Sequence, residues 1–233
     1  MVNGWVLDKV VEVVHFENTV FELLDICLRL PLRYKNGQPP VEVLWRTLIA
    51  GRTDTAFPAP PETAQHFSEH ITTTMLGYAF QDTEVRRDEE ALSILFRILT
   101  SIEQYCPHPT IPSPEEFTSM AAAARRDLDG FIARAQKIKS QGKYRTFITP
   151  THTGRKGKAV FRTQKGYLGL CPYSTHVGDE VWLFKGAKVL HILRAPEVEG
   201  ESQELVGESY LHGFMEGEGL VQEGLTPQTA LIK

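Results

Sequence analysis

Tyr144-Arg-Thr-Phe-Ile-Thr149, Gly166-Tyr-Leu-Gly-Leu170, Val177-Gly-Asp-Glu-Val-Trp-Leu-Phe184, Val189-Leu-His-Ile-Leu-Arg194 and Leu205-Val-Gly-Glu-Ser-Tyr-Leu-His-Gly-Phe-Met-Glu-Gly217 follow one another as short strands punctuated by glycine turns. Glycine between such runs supplies the positive φ that tight turns demand. Everything after Gly142 reads as strand and turn. An antiparallel sheet of these strands has edges that must be hidden, so the segment is expected to curl into a small barrel or sandwich.

Working outward from there, Trp5 to Val14 is rich in valine and holds neither glycine nor proline, which predicts a strand. It has no partner nearby in sequence, and its backbone groups need one. It is therefore expected to pair with the C-terminal strands and close one of their edges. A helix is predicted from Asn18, a good N-cap, through Phe21, Leu24, Cys27 and Leu28 to a stop at Pro31. Pro39-Pro40 opens a second helix from Val41 to Ala50, which Gly51 ends. Pro61 to Ala79 and Arg87 to Tyr105 read as helices, the latter with Leu92, Leu95, Phe96 and Leu99 at helical spacing. Four prolines keep Cys106 to Pro114 irregular. Ser113 and Glu116 then form a capping box, and one helix is predicted from there through the alanines to Ser140.

Helices in the middle and strands at the two ends describe an α+β fold: a central helical bundle with a small C-terminal antiparallel β-barrel or sandwich. Residues 1–142 form the mainly helical region with its N-terminal strand. Residues 143–233 form the barrel-like region, ending in a short terminal helix.

Hydrophobic residues make up 42% of the 233 residues, charged residues 23%, and the net charge is −4. This is the balance of an ordinary globular protein and not of a disordered or nucleic-acid-coating chain. Cys27, Cys106 and Cys171 are far apart and form no CxxC pair, so neither a disulfide framework nor a zinc ribbon is indicated. Asp8 and Lys9 interrupt the first apolar segment, which excludes a signal peptide there, and no run of 18 apolar residues offers a membrane span. A reducing cytoplasm is the expected setting.

The order and spacing of the C-terminal runs resemble the C-terminal region of fungal heterokaryon-incompatibility proteins, the HET-domain family. There, a strand like RRFF.T..G..GL precedes a GD.V..L.G turn and strand, a strand ending in LR, and a LVGE.Y.HG.M.GE ending. Trp45-Arg-Thr-Leu48 is also similar to a WRTL element of that family, placed after a V.D.V strand like Val6-Leu-Asp-Lys-Val10. The resemblance thus covers both ends of the chain. In the family the HET domain precedes this region and is the part tied to cell death after fusion of incompatible strains. The region resembled here has no assigned chemistry, and no segment of this chain looks like the HET domain. The resemblance implies a non-catalytic recognition or regulatory region, with no cofactor, and with a HET domain or another incompatibility protein as its partner.

Four residue patterns have the composition of chemical sites. His66-Phe-Ser-Glu-His70 matches the HxxEH pattern of inverted zinc peptidases, with both histidines on one helical face and Glu69 beside them as a base. No third ligand is identifiable, and an exposed polar helix face explains the same residues. His212 and Glu216, with Glu208 and Glu218 nearby, suggest a carboxylate–histidine site. The glycines at 207, 213, 217 and 219 point instead to tight turns, with Glu208 paired across strands and His212 bonded to a backbone carbonyl. Gly178-Asp179 is simplest as a turn, with Asp179 in an Asx-turn delivering the chain into a strand. Cys171 lies close in sequence to His176, yet a nucleophile pair also needs a third orienting group.

Arg134, Lys137, Lys139, Lys143, Arg145, Arg155, Lys156, Lys158, Arg162 and Lys165 make a basic stretch followed by an acidic one over Glu197 to Glu208. It offers a weak anionic-ligand or nucleic-acid surface, against the simpler reading of a solvated face; nucleic acid is not the expected partner. No catalytic, cofactor or metal site is assigned. The chain is expected not to be an enzyme. The metal-dependent hydrolase on His66, Glu69 and His70 is the alternative. If a partner domain attaches, Trp45 and Leu48 have the apolar area to anchor it, near the N-terminal strand.

Overall fold

The computed structural model describes residues 1–15, 20–80, 89–140, 157–196, 198, 201–215 and 225–233. Strand β1 (Val2–His15) leads into helix α1 (Val20–Asp25), a 3-10 turn (Ile26–Arg29), α2 (Pro40–Leu48), α3 (Thr63–Phe80), α4 (Glu89–Tyr105), α5 (Pro114–Arg126) and α6 (Leu128–Ser140). Strands β2 (Lys158–Thr163), β3 (Leu168–Pro172), β4 (Glu180–Phe184), β5 (Leu190–Arg194), β6 (Glu204–Leu211) and β7 (Gln228–Ala230) follow.

The described strands pair in the order β2-β3-β6-β5-β4-β1-β7, and β2 pairs also with β1. Six strands therefore close an antiparallel barrel, with β7 lying outside the ring on β1. The fold is mixed α+β with the N-terminal strand inside the barrel. β1 closes the ring because it is long enough to serve two neighbours. Gly4 to Lys9 pair with β4, and Val10 to His15 pair with β2. Register shifts at Val6/Asp8 and Val10/Glu12 bend it between the two. Extra residues on one strand sharpen its twist, which is how a single strand turns a barrel corner. At the first shift the buried Asp8 carboxylate accepts from Lys9 N at 2.9 Å and Lys165 N at 2.8 Å.

Cross-strand partners share a face of the sheet. Phe161, Val181, Ile192 and Leu211 are each 0% exposed and fill the interior. Gly169 sits opposite Phe161, and a Cβ built there would lie 2.5 Å from the Phe161 ring. That close approach is why the position is glycine. Val160, Leu170 and Tyr210, cross-strand partners on the next positions, face the helices, where α2 packs on β3. One apolar cluster joins the barrel to Leu24, Leu44, Trp45, Phe67, Ile71, Met75, Leu95 and Phe117, so residues on both sides of position 142 share a core.

Local signals account for the start of α5 and the end of α2. Ser113 accepts from Glu116 N at 3.1 Å while Glu116 accepts from Ser113 N at 2.8 Å, the reciprocal capping box. After α2, Ala50 and Gly51 adopt positive φ and Gly51 N donates to Arg46 O at 2.7 Å, a left-handed cap.

Two expectations change. The single helix from Ser113 to Ser140 is two helices, because Asp127 leaves helical φ/ψ and its Oδ1 accepts from Gly130 N at 3.0 Å. An Asx side chain that caps a new helix ends the old one. The helix predicted to Pro31 is a short α-helix tightening into a 3-10 turn, and Asn18 lies outside the described residues. The short terminal helix expected where the last barrel strand exits falls on residues 216–224, outside the described residues, and β7 follows at Gln228–Ala230. The strand predicted over Tyr144–Thr149 also lies outside the described residues.

Candidate functional site

The densest polar arrangement sits where the end of β6 meets the segment before α2. Tyr34 to Gln38 make a tight loop: Gly37 N donates to Tyr34 O at 2.8 Å and Tyr34 N to Gln38 O at 3.1 Å. The loop delivers Tyr34, Asn36 and Gln38 to the barrel rim. The Tyr34 hydroxyl accepts from Leu168 N at 3.0 Å and donates to His212 O at 3.2 Å, tying β3 to the end of β6. Burial raises the Tyr34 pKa, so this hydroxyl stays protonated.

From there a chain of side chains runs from the barrel into α2. The Tyr210 hydroxyl lies 3.0 Å from His212 Nδ1, and His212 Nε2 lies 2.6 Å from Gln38 Oε1. Gln38 Nε2 donates to Glu42 Oε1 at 3.1 Å, and Arg46 Nε donates to the same oxygen at 2.7 Å. Arg46 Nη1 reaches Ala59 O at 2.7 Å, with the guanidinium 4.3 Å from the Trp45 ring. Because the Gln38 amide faces Glu42, its carbonyl faces His212, which sets the imidazole tautomer. In that arrangement a neutral ring donates from Nε2 and takes the Tyr210 hydroxyl proton at Nδ1. Gly51 makes room at the far end, since a Cβ there would stand 2.8 Å from the Tyr210 hydroxyl.

His212 is only 6% exposed, and each ring nitrogen is engaged within the protein. A general base needs a nitrogen facing the reacting proton; here Nδ1 faces Tyr210. The ring bonds the side chains of Tyr210 and Gln38. Glu216 and Glu218 lie outside the described residues, and Glu208 is exposed opposite His191 on β5. The network fixes the barrel on the helices. Sequence reading singles out His212, and Tyr210 stands in the same LVGE.Y.HG run; Tyr34, Gln38 and Glu42 carry no motif, and Tyr34 meets His212 across 178 residues.

Other singled-out residues have definite places. Asp179 is 3% exposed and accepts from His176 N at 2.8 Å, so its role in the turn holds. It also takes Arg194 Nε and Nη2, each at 3.0 Å, and Arg194 reaches Ser174 O at 2.6 Å and Glu204 at 3.2 Å. This clamp joins the β3–β4 turn to β5 and β6. His66, Glu69 and His70 share α3, where Glu69 accepts from Gln65 Nε2 at 3.2 Å. Among the described residues no group of three His, Cys, Asp or Glu side chains is placed to hold a metal ion.

Cys171 is fully buried with its thiol against Ala159 O at 3.6 Å, and burial pushes its pKa up to about 11, while His176 is exposed. A thiol held protonated is a poor nucleophile. Trp45 and Leu48, expected as an interaction surface, are 1% and 5% exposed and serve the core instead. Four cations of the basic stretch are paired, while Lys143, Arg145, Arg155 and Lys156 lie outside the described residues. Arg162 pairs with Glu12 at 2.8 Å, Arg134 with Asp127 at 3.4 Å, and Lys158 and Lys165 bind backbone oxygens of Glu208 and Leu7.

Between α3 and α5 an open groove of about 520 Å³ is lined by Ser68, Thr72, Pro109, Pro112, Glu115 and Met120. No described helix is long and apolar enough to cross a membrane.

A closed barrel with helices packed on its outer face defines the architecture, and comparison with known proteins places it. Residues 66–224 match the Het-6 beta-barrel domain, and the chain belongs to that family. The matched range leaves out β1, the strand that completes the ring, and β7. The chain is also similar to heterokaryon incompatibility protein 6, OR allele, of Neurospora crassa, with 36% identity over 64 residues. That alignment covers 27% of this chain and 9% of the fungal protein. No solved structure matches.

Proposed function

We propose that this chain is the non-catalytic recognition or regulatory region of a HET-like fungal incompatibility protein, acting in the cytoplasm beside a HET domain or another incompatibility protein. The observation that carries the reading is the use made of the polar groups. His212, Gln38, Glu42 and Arg46 bond one another and lock the barrel to α2, and the barrel interior is filled by Phe161, Val181, Ile192 and Leu211. Such a body holds a surface in a fixed shape, which is what recognition asks of a domain. The family and the relative's name supply the setting.

The test is co-expression of the chain with a HET domain, followed by size-exclusion chromatography and elemental analysis. A stable complex without stoichiometric metal is the expected result. Separate elution would remove the HET-domain partner. Stoichiometric zinc that disappears in His66→Ala would replace the reading with the hydrolase alternative.

A further inference from the structure

The two ends of the described chain meet on the outside of the barrel. β1 pairs with β2 only from Val10 onward, so its first residues would present an open edge on that side. β7 covers it: Val2, Asn3 and Gly4 pair with Ala230, Thr229 and Gln228. Beside this edge Trp182, Leu193, Val2, Val6 and Phe184 form an apolar slot separate from the main core, and Ala230 and Ile232 lie in it. Trp182 is 2% exposed and Ala230 2%, whereas Leu231, on the other side of the segment, is 46% exposed. Gly4 lets β1 approach β4 closely beside the slot, since a Cβ there would lie 2.6 Å from Leu183 O and 3.0 Å from the Phe184 ring. Beyond β7, Gln203 holds the segment by N–H to Leu231 O at 2.6 Å and by O to Lys233 N at 3.0 Å.

This arrangement has the two parts of a strand-addition site: an exposed edge that gives main-chain bonds, and pockets for alternate side chains that give selectivity. The occupant is a three-residue strand, and so short a strand holds few ladder bonds. The geometry points to the Val2–Gly4 edge and the Trp182 slot as a strand-acceptor site, filled in cis by residues 228–232 and able to take an extended partner segment of the same pattern. The partner chemistry follows from the seat: a small residue where Ala230 sits and a branched aliphatic where Ile232 sits, with polar residues between tolerated. The intramolecular segment enjoys an effective concentration on the order of millimolar, so a partner strand competes only by binding better or when the cis segment is released.

The test uses the full chain carrying Ala230→Asp and Ile232→Asp, which removes the fit without touching the barrel. The probe is a synthetic peptide with the sequence of residues 225–233. The expected results are a cooperatively folded variant, at least a several-fold rise in hydroxyl-radical labelling of Trp182, and peptide binding that reverses it. The same peptide with Ala230→Asp should not bind. A folded variant whose Trp182 stays protected, or that ignores the peptide, overturns the proposal. Should the variant not fold, hydrogen exchange of the unmodified chain decides: amides of residues 228–232 are expected to exchange well before those of β4 and β5. Exchange only with global unfolding would make β7 a permanent barrel strand and refute the inference.

Discussion

Asp179→Ala should destabilise the protein through the clamp it makes with Arg194. The carboxylate accepts from His176 N and from two Arg194 nitrogens, and at 3% exposure it has no access to replacement water. Removing one partner of a buried pair costs roughly 3–5 kcal/mol, because the other charge is left behind. Arg194 is less trapped: its side chain is 27% exposed and it keeps Glu204 and Ser174 O. Water can rescue part of its solvation, which brings the expected loss to about 2–3 kcal/mol. With a urea slope of about 2–3 kcal/mol/M for a chain of this size, the unfolding midpoint should fall by about 1 M. Arg194→Ala should cost less, because Asp179 retains His176 N. The double variant should lose less than the sum of the two, leaving a coupling of at least about 1 kcal/mol. Equilibrium urea unfolding of the four proteins measures all of this. An unchanged midpoint in Asp179→Ala, or strict additivity, would refute the clamp.

Gly169→Val should be among the most damaging single changes, because the new side chain meets the Phe161 ring and the backbone oxygen of Tyr210; a loss of at least about 3 kcal/mol in chemical unfolding is expected. Glu12 gives a pH signature. Burial raises its pKa, but hydrogen bonds and charges from Arg29 and Arg162 outweigh this and hold it below the usual 4.5. A carboxylate depressed in the folded state stabilises above its unfolded pKa and loses that contribution as the pH falls below about 4.5. Stability should therefore drop on acidification in the parent more steeply than in Glu12→Gln, and parallel curves would contradict the pairing. The three cysteines are buried, and burial raises the pKa of each thiol. A disulfide reagent at pH 8 should label native protein slowly and reach three equivalents only in denaturant; fast labelling of Cys171 would revive the nucleophile reading. His212→Ala, which leaves Gln38 and Tyr210 without their shared partner, should cost about 2 kcal/mol in thermal or urea unfolding; a neutral result would mean the network does not hold the barrel to α2.

The strand runs around Gly166, Asp179, Leu190 and Leu205 show in sequence because apolar and β-branched residues between glycine turns are a local signal. So do the Ser113–Glu116 box and the Gly51 stop, which each need only a few neighbouring residues. A strand without a local partner must find a distant one, which is why the pairing of β1 with the C-terminal strands could be expected from Trp5 to Val14 alone. Its two register shifts could not, since a bulge is decided by what lies opposite. Asp127 ended a helix that the alanines would have continued, because its side chain had a backbone amide three residues on to bond.

Tertiary contact alone turned the WRTL helix inward, burying Trp45 and Leu48 whose area suggested an interface. It also gave His212 its partners, for Tyr34 and Gln38 lie more than 170 residues away. The slot beneath β7 depends on the same long-range closure, bringing Val2 against Ala230. The sequence by itself determined the periods, caps and turns, which are short-range steric and hydrogen-bonding preferences. Which faces meet, and which polar groups find each other, was decided only when the chain closed its barrel, because burial is a property of the whole assembly of elements.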